Sequence, residues 1–169
     1  MKPFVKFFAA LLMVTVWLGT SNAKAEEGLF TTKSLTPDTA LMAAKAALDK
    51  CRKEGYQTAI AVVDKSGIVQ VVLRDRFAGA HTPETARRKA WTAVSFRTNT
   101  SEMVPTTGAG KPQAGVRHVV DALMIGGGMM IDAGGTLVGA IGVSGAPGGD
   151  LDDICAKAGI DAIEDLIAF

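Results

Sequence analysis

Between Gly126 and Gly145 the chain runs Gly126-Gly127-Gly128-Met129-Met130-Ile131-Asp132-Ala133, then Gly134-Gly135, then Thr136-Leu137-Val138-Gly139-Ala140-Ile141-Gly142-Val143-Ser144-Gly145. Two β-prone apolar runs joined by a glycine pair predict a hairpin. Glycine at 139, 142 and 145 strips side chains from one patch of it, which lets another backbone, a helix or a flat ligand approach closely. A surface built for contact is the first expectation.

The rest of the chain supplies helices to lie on such a sheet. Thr36-Pro37-Asp38 is a helix start with Thr36 as N-cap, and the segment to Glu54 carries a Leu41/Ala44/Leu48/Cys51 stripe before Gly55 ends it. Gln57 to Asp64 and Ile68 to Arg74 read as two strands joined at Asp64-Lys65-Ser66-Gly67, the first apolar enough to be covered on both faces. After an irregular link from Arg74 to His81, Thr82-Pro83-Glu84-Thr85 repeats the cap-and-proline start of a helix to about Arg97, with Arg87, Arg88 and Lys89 expected on a solvated face. Thr98 to Val116 has no periodicity and reads as a long loop, Val116 to Ile125 fits a strand or a short helix, and Asp150 is expected to cap a last helix to about Ala168. Helix, hairpin, helix, loop, hairpin, helix is an α+β order, without the alternating units of a parallel sheet.

Residues 1–25 have the form of an export signal: Lys2 and Lys6, an apolar run from Phe7 to Leu18, and Ala23-Lys24-Ala25 as a cleavage site. Residues 26–169 are then expected as one periplasmic or secreted domain, with no membrane span once the signal is removed. That portion keeps fifteen basic against seventeen acidic side chains, which argues against a nucleic-acid partner. Cys51 and Cys155 both lie on apolar helix faces; in an oxidising compartment a disulfide and two buried thiols are equal readings. Neither has a CxxC or CxxCH context, so covalent haem attachment is not indicated.

Val62-Val63-Asp64-Lys65-Ser66-Gly67, Arg74-Asp75, Ala86-Arg87-Arg88-Lys89-Ala90-Trp91-Thr92-Ala93 and Val138-Gly139-Ala140-Ile141-Gly142-Val143-Ser144-Gly145, in that order, resemble the GlcG/HbpS-like haem-binding family. That family includes the C-terminal domain of PduO-type corrinoid adenosyltransferases. The resemblance runs from Leu35 to Ala162. It implies a profilin-like sandwich, an antiparallel sheet of about five strands flanked by helices, assembling into homo-oligomers. In some members it also implies non-covalent binding of haem or a related tetrapyrrole near the start of the second helix or at a subunit interface. The stretch Ala146-Pro147-Gly148-Gly149-Asp150-Leu151-Asp152-Asp153 departs from the family pattern, as does the loop from Thr98 to Arg117.

A b-type, non-covalent haem site needs an axial ligand, a flat apolar cleft and cations for the propionates. His81, just before a helix start, and His118, at the mouth of the glycine hairpin, are the candidate iron ligands; Arg74 and Arg76 are the candidate propionate partners. The competing reading makes both histidines surface or turn residues and pairs the two arginines with Asp75. Met103 is a further ligand candidate, whereas Met124, Met129 and Met130 read as core filler and Tyr56 as a packing residue at the end of the first helix. Ser144 lacks the G-x-S-x-G setting of a hydrolase nucleophile, because position 146 is Ala, and no GxGxxG or P-loop occurs. No complete catalytic constellation is present, so a binding protein is expected rather than an enzyme. Beside haem, a small organic acid or metabolite held by Arg74 or Arg76, and a purely structural homo-oligomer joined through the glycine hairpin, are the alternatives.

Overall fold

Thr36 accepts a hydrogen bond from the backbone N–H of Thr39 and, with Pro37 behind it, starts helix α1 (Pro37–Lys53), as its sequence requires. The computed structural model describes Gly28 and residues 30–168; the expected signal and its cleavage site lie outside the described residues. The described residues from Lys33 onward make one compact unit. In it α1 is followed by β1 (Ala59–Asp64), β2 (Val69–Arg74), α2 (Thr82–Phe96), α3 (Thr100–Thr107), a 3-10 turn at Ala114–His118, β3 (Gly128–Ala133), β4 (Thr136–Ser144), α4 (Gly149–Asp161) and α5 (Glu164–Ile167). The fold is α+β. Among the described residues no helix is long and apolar enough to cross a membrane.

Among the described residues four strands, against about five expected, form one antiparallel sheet in the order β2-β1-β4-β3. The central β1 and β4 pair from Ala59 with Ser144 to Asp64 with Gly139. Alternation along them sorts the side chains between two layers. Ile60, Val62, Ile141 and Val143 face a core closed by Ala40, Ala44, Ala47, Leu48 and Cys155 of α1 and α4, while Ala61, Val63 and Ala140 face Ala86, Ala90 and Ala93 of α2. Both faces of β1 are covered, which is why it reads as a continuous apolar run.

The glycine patch is used inside the molecule. A Cβ at Gly142 would stand 2.0 Å from the carbonyl oxygen of Ala86, and one at Gly139 would meet Val63 O and Leu35. Helix α2 therefore lies directly on β4. Gly159 does the same on the other face, where a Cβ would be 2.6 Å from Ala43 O, and this close crossing brings Cys51 and Cys155 to a Cα separation of 5.5 Å. The two cysteines form a disulfide between α1 and α4, which resolves the alternatives left open by sequence.

Several local expectations need correction. The buried stripe of α1 is Ala40, Ala43, Ala44, Ala47, Leu48 and Cys51, with Leu41 exposed, because the helix is turned so that its smallest residues meet α4. Leu35, ahead of α1, is buried in the core and its carbonyl accepts a hydrogen bond from Gln70. Helix α2 begins one residue early, with His81 as N-cap and Thr82 inside the first turn, its hydroxyl donating to Gly79 O. The long loop contains α3, whose Thr100 hydroxyl ties to β3 by accepting from Gly128 N and donating to Gly128 O, and whose Met103 is buried among Ala122, Met124 and Trp91. Tertiary bonds hold that short, proline-containing helix, so periodicity could not show it. The last helix is capped at Gly148 rather than Asp150 and breaks at Ala162.

Candidate functional site

Where β1 begins and β4 ends, the sheet opens on a cavity of about 680 Å³. The N-terminal turn of α2 forms one wall and the 144–149 segment the other. Its lining mixes apolar groups, Phe77, Ile125, Pro147 and the ring of Tyr56, with His81 and Thr85 from α2. Phe77 is 78 % exposed, an aromatic residue left uncovered beside the opening. Among the described residues no cluster of three His, Cys, Asp or Glu side chains is arranged to hold a bare metal ion.

His81 owes its place to two local features. As N-cap of α2 its carbonyl accepts from the amide and the hydroxyl of Thr85, and its imidazole folds over Gly79, where a Cβ would lie 2.7 Å from Cε1. Any side chain at 79 would push the ring away. His118 ends the exposed 3-10 turn and is not among the residues lining this cavity. Of the two histidines, His81 alone lines this cavity. Arg74 and Arg76 belong to the link that forms the cavity's outer edge without lining it: Arg74 donates to Ala78 O, and Arg76 lies over the Phe77 ring at 5.7 Å. Asp75, which the sequence paired with these two arginines, is instead held by Arg52 through Nε and Nη2 at 2.7 and 3.0 Å. That guanidinium, with the Arg76 amide, holds the Asp75 carboxyl below the usual carboxylate range. Met103 is packed in its core cluster as filler.

The floor of the cavity holds what sequence reasoning missed. Lys89, expected on a solvated face, is 2 % exposed, and its ammonium donates to Asp152 Oδ2 at 2.7 Å and to Val143 O at 2.9 Å. Asp152 in turn accepts from the Ala146 amide, so one buried ion pair joins α2, the end of β4, the 144–149 segment and α4. Burial pushes the Asp152 carboxyl above its ordinary value, against the pull of Lys89 and the Ala146 N–H. A signal existed: Lys89 lies three residues after Ala86 and four before Ala93, on the same helical stripe that faces the sheet. Arg87 and Arg88 are not free either. Arg87 bridges Glu84 and Asp121, and Arg88 donates to the carbonyls of Asp121 and Ala122, fastening the segment before β3 to α2.

A four-stranded antiparallel sheet between two helical layers, with a histidine-bearing cleft of mixed lining at the start of α2, defines a small α+β ligand-binding domain. The family described as haem degrading protein HbpS-like matches residues 35–161, and the chain belongs to that family. Among solved structures, a double mutant of HbpS from Streptomyces reticuli is 34 % identical with a TM-score of 0.76, covering 95 % of this chain and 99 % of that one. A structure titled as a PduOC:heme complex is 28 % identical with a TM-score of 0.73, covering 77 % of this chain and 95 % of that one. Among curated proteins, the corrinoid adenosyltransferase PduO of Salmonella typhimurium is 29 % identical over 103 residues, 60 % of this chain. The match spans 31 % of that relative's length.

Proposed function

We propose that this protein is an exported haem-binding protein that holds a b-type haem non-covalently in the cleft at the start of α2, with His81 as the iron ligand. The observation that carries the reading is the imidazole of His81 seated at an opening of about 680 Å³ beside Phe77, Ile125 and Tyr56. The residues fit the ring and the iron: the cleft offers one nitrogen donor beside apolar and aromatic surface, Arg74 and Arg76 stand at its outer edge rather than in its lining, and a solved haem complex shares its fold. Both cysteines of the sequence are joined to each other, which supports non-covalent attachment. Bound there through His81, the group would supply a redox-active iron. We read the site as one for binding or sensing rather than turnover, and self-association as its setting.

Titration of the protein with haemin should produce a saturable Soret band. His81→Ala should weaken or shift it, and His118→Ala should leave it intact. No Soret change with the unaltered protein would remove haem binding; an unchanged band in His81→Ala would remove only the ligand assignment. N-terminal sequencing of the protein recovered from a periplasmic fraction should begin at Glu26 if export is correct.

A further inference from the structure

Ser144, the last residue of β4, pairs with Ala59 and lies on the same face of the sheet as Ala140 and Gly142. Along that face Ala140 packs on Ala90 and Ala93, and Gly142 lies under Ala86, so the strand runs toward the start of α2. Two residues past Gly142 the helix is at its first turn, and Ser144 meets the cavity there instead of the helix. Ser144 is 5 % exposed, it lines the cavity, and among the described residues its hydroxyl has no hydrogen-bond partner. Buried hydroxyls are normally paired, and one left open toward a cavity points to a partner brought by the cavity's occupant. Thr82 and Thr85, on the α2 wall, already donate to Gly79 O and His81 O. A second donor stands beside Ser144. The Lys89 ammonium has three N–H groups, of which Asp152 and the carbonyl of Val143, the residue before Ser144, take two.

The charges around this floor decide which acceptor fits. Lys89 is balanced by Asp152 at 2.7 Å, and Asp150 folds its carboxylate back over Gly148 on the cavity wall. The other titratable groups of the lining are His81 and Tyr56. An ionised carboxylate set on the floor would add negative charge to a pair already neutral and shielded from water. An uncharged carbonyl accepts from both donors without that penalty. The carboxylates of a haem-like ring then belong at the outer edge, where Arg74 and Arg76 stand, and its opposite edge faces Ser144. A few placed polar groups in a cleft fix orientation and specificity. Resting on the haem reading, we propose that Ser144 and Lys89 are specificity residues of this cleft, selecting a tetrapyrrole that carries an uncharged carbonyl, such as formyl or acetyl, opposite its carboxylates.

The full-length protein is titrated with diacetyldeuterohaemin and with mesohaemin, which bear acetyl or ethyl groups on that edge, and the Soret band gives each dissociation constant. Both titrations are repeated on Ser144→Ala. The acetyl group also alters the electronics of the iron, and dividing the affinity ratio of the unaltered protein by that of the variant cancels this effect. The quotient should favour the acetyl ring about three- to tenfold, as one hydrogen bond does. A quotient near one overturns the proposal: with affinities unchanged in Ser144→Ala the hydroxyl meets only water, and with both weakened alike it meets a carboxylate. Because the hydroxyl lacks a partner in the ligand-free protein, Ser144→Ala should melt at the unaltered temperature. A clearly lowered melting temperature gives Ser144 a structural role and also overturns the proposal. If neither ring produces a saturable Soret change the haem reading fails and this inference with it, whereas a quotient near one with both rings bound leaves the haem reading intact.

Discussion

Removing the ammonium from the buried Lys89–Asp152 pair should be among the costliest single changes in this protein. Both side chains are nearly sealed from water, at 2 % and 4 % exposure, and their charged atoms are 2.7 Å apart. In Lys89→Met the aliphatic volume is largely kept, but Asp152 is left buried with the Ala146 amide as its remaining donor. Breaking such a pair costs about 3–5 kcal/mol, against about 0–1 kcal/mol for an exposed one. With an unfolding entropy of about 2.1 cal/mol/K per residue, about 140 ordered residues convert this to a fall in Tm of roughly 10–17 °C. The pH dependence has a definite sign. Burial already raises the Asp152 carboxyl above its unfolded value, and losing Lys89 raises it further. The folded state then binds a proton that the unfolded state releases, so the destabilisation should shrink as pH falls from neutrality toward about 4, the unfolded carboxylate value. Urea unfolding followed by circular dichroism at pH 7 and pH 5 measures both effects. The double variant Lys89→Met/Asp152→Leu, which buries no charge, should recover more than half of the loss. A single-variant cost below about 1 kcal/mol, or a double variant less stable than the single one, would refute the reasoning.

Three further outcomes follow from the same structure. Replacing Cys51 and Cys155 by alanine opens a bridge of sequence separation 104 and should lower stability by about 4–5 kcal/mol in the chain-entropy account, read as a shift in the urea midpoint. Gly142→Ala forces a methyl against Ala86 O and should cost about 1–3 kcal/mol or more, whereas Gly115→Ala, with nothing within 4 Å, should cost little; equal melting temperatures would contradict the close seating of α2 on β4. Because Arg52 holds the Asp75 carboxyl below its unfolded value, its stabilisation is complete above about pH 4 and is lost as pH falls through the folded value, so Asp75→Asn should flatten the acid limb of the stability curve.

The elements that rest on local chemistry were legible in the chain. Thr36 and Pro37 start α1, Asp64 and Gly67 close the first hairpin, Gly134 and Gly135 turn the second, and the apolar run from Ala59 to Val63 announces a strand covered on both faces. Each depends on neighbours within a few residues, so sequence spacing carries the information. Helix α3 does not, because Thr100 finds its partner in Gly128, and short helices without periodicity form only where such a contact holds them.

The candidate site divides in the same way. His81 at the start of a helix could be named from sequence, but its place at a cleft depends on the 144–149 segment arriving from the far end of β4. The glycines of β4 announced a close approach; only the folded chain showed that the body approaching Gly142 is its own helix α2, while Gly139 meets Val63 O and Leu35. Lys89 is the sharpest case. Three basic residues in a row look like a solvated face, yet the sheet takes up one side of the helix and turns the third of them inward, where a carboxylate 63 positions later neutralises it. Charge and periodicity are properties of a segment, and they determined where helices and strands begin and end. Which charges meet, and which surfaces are covered, depends on residues remote in sequence, and so was decided by the packing of the sheet between its two helical layers.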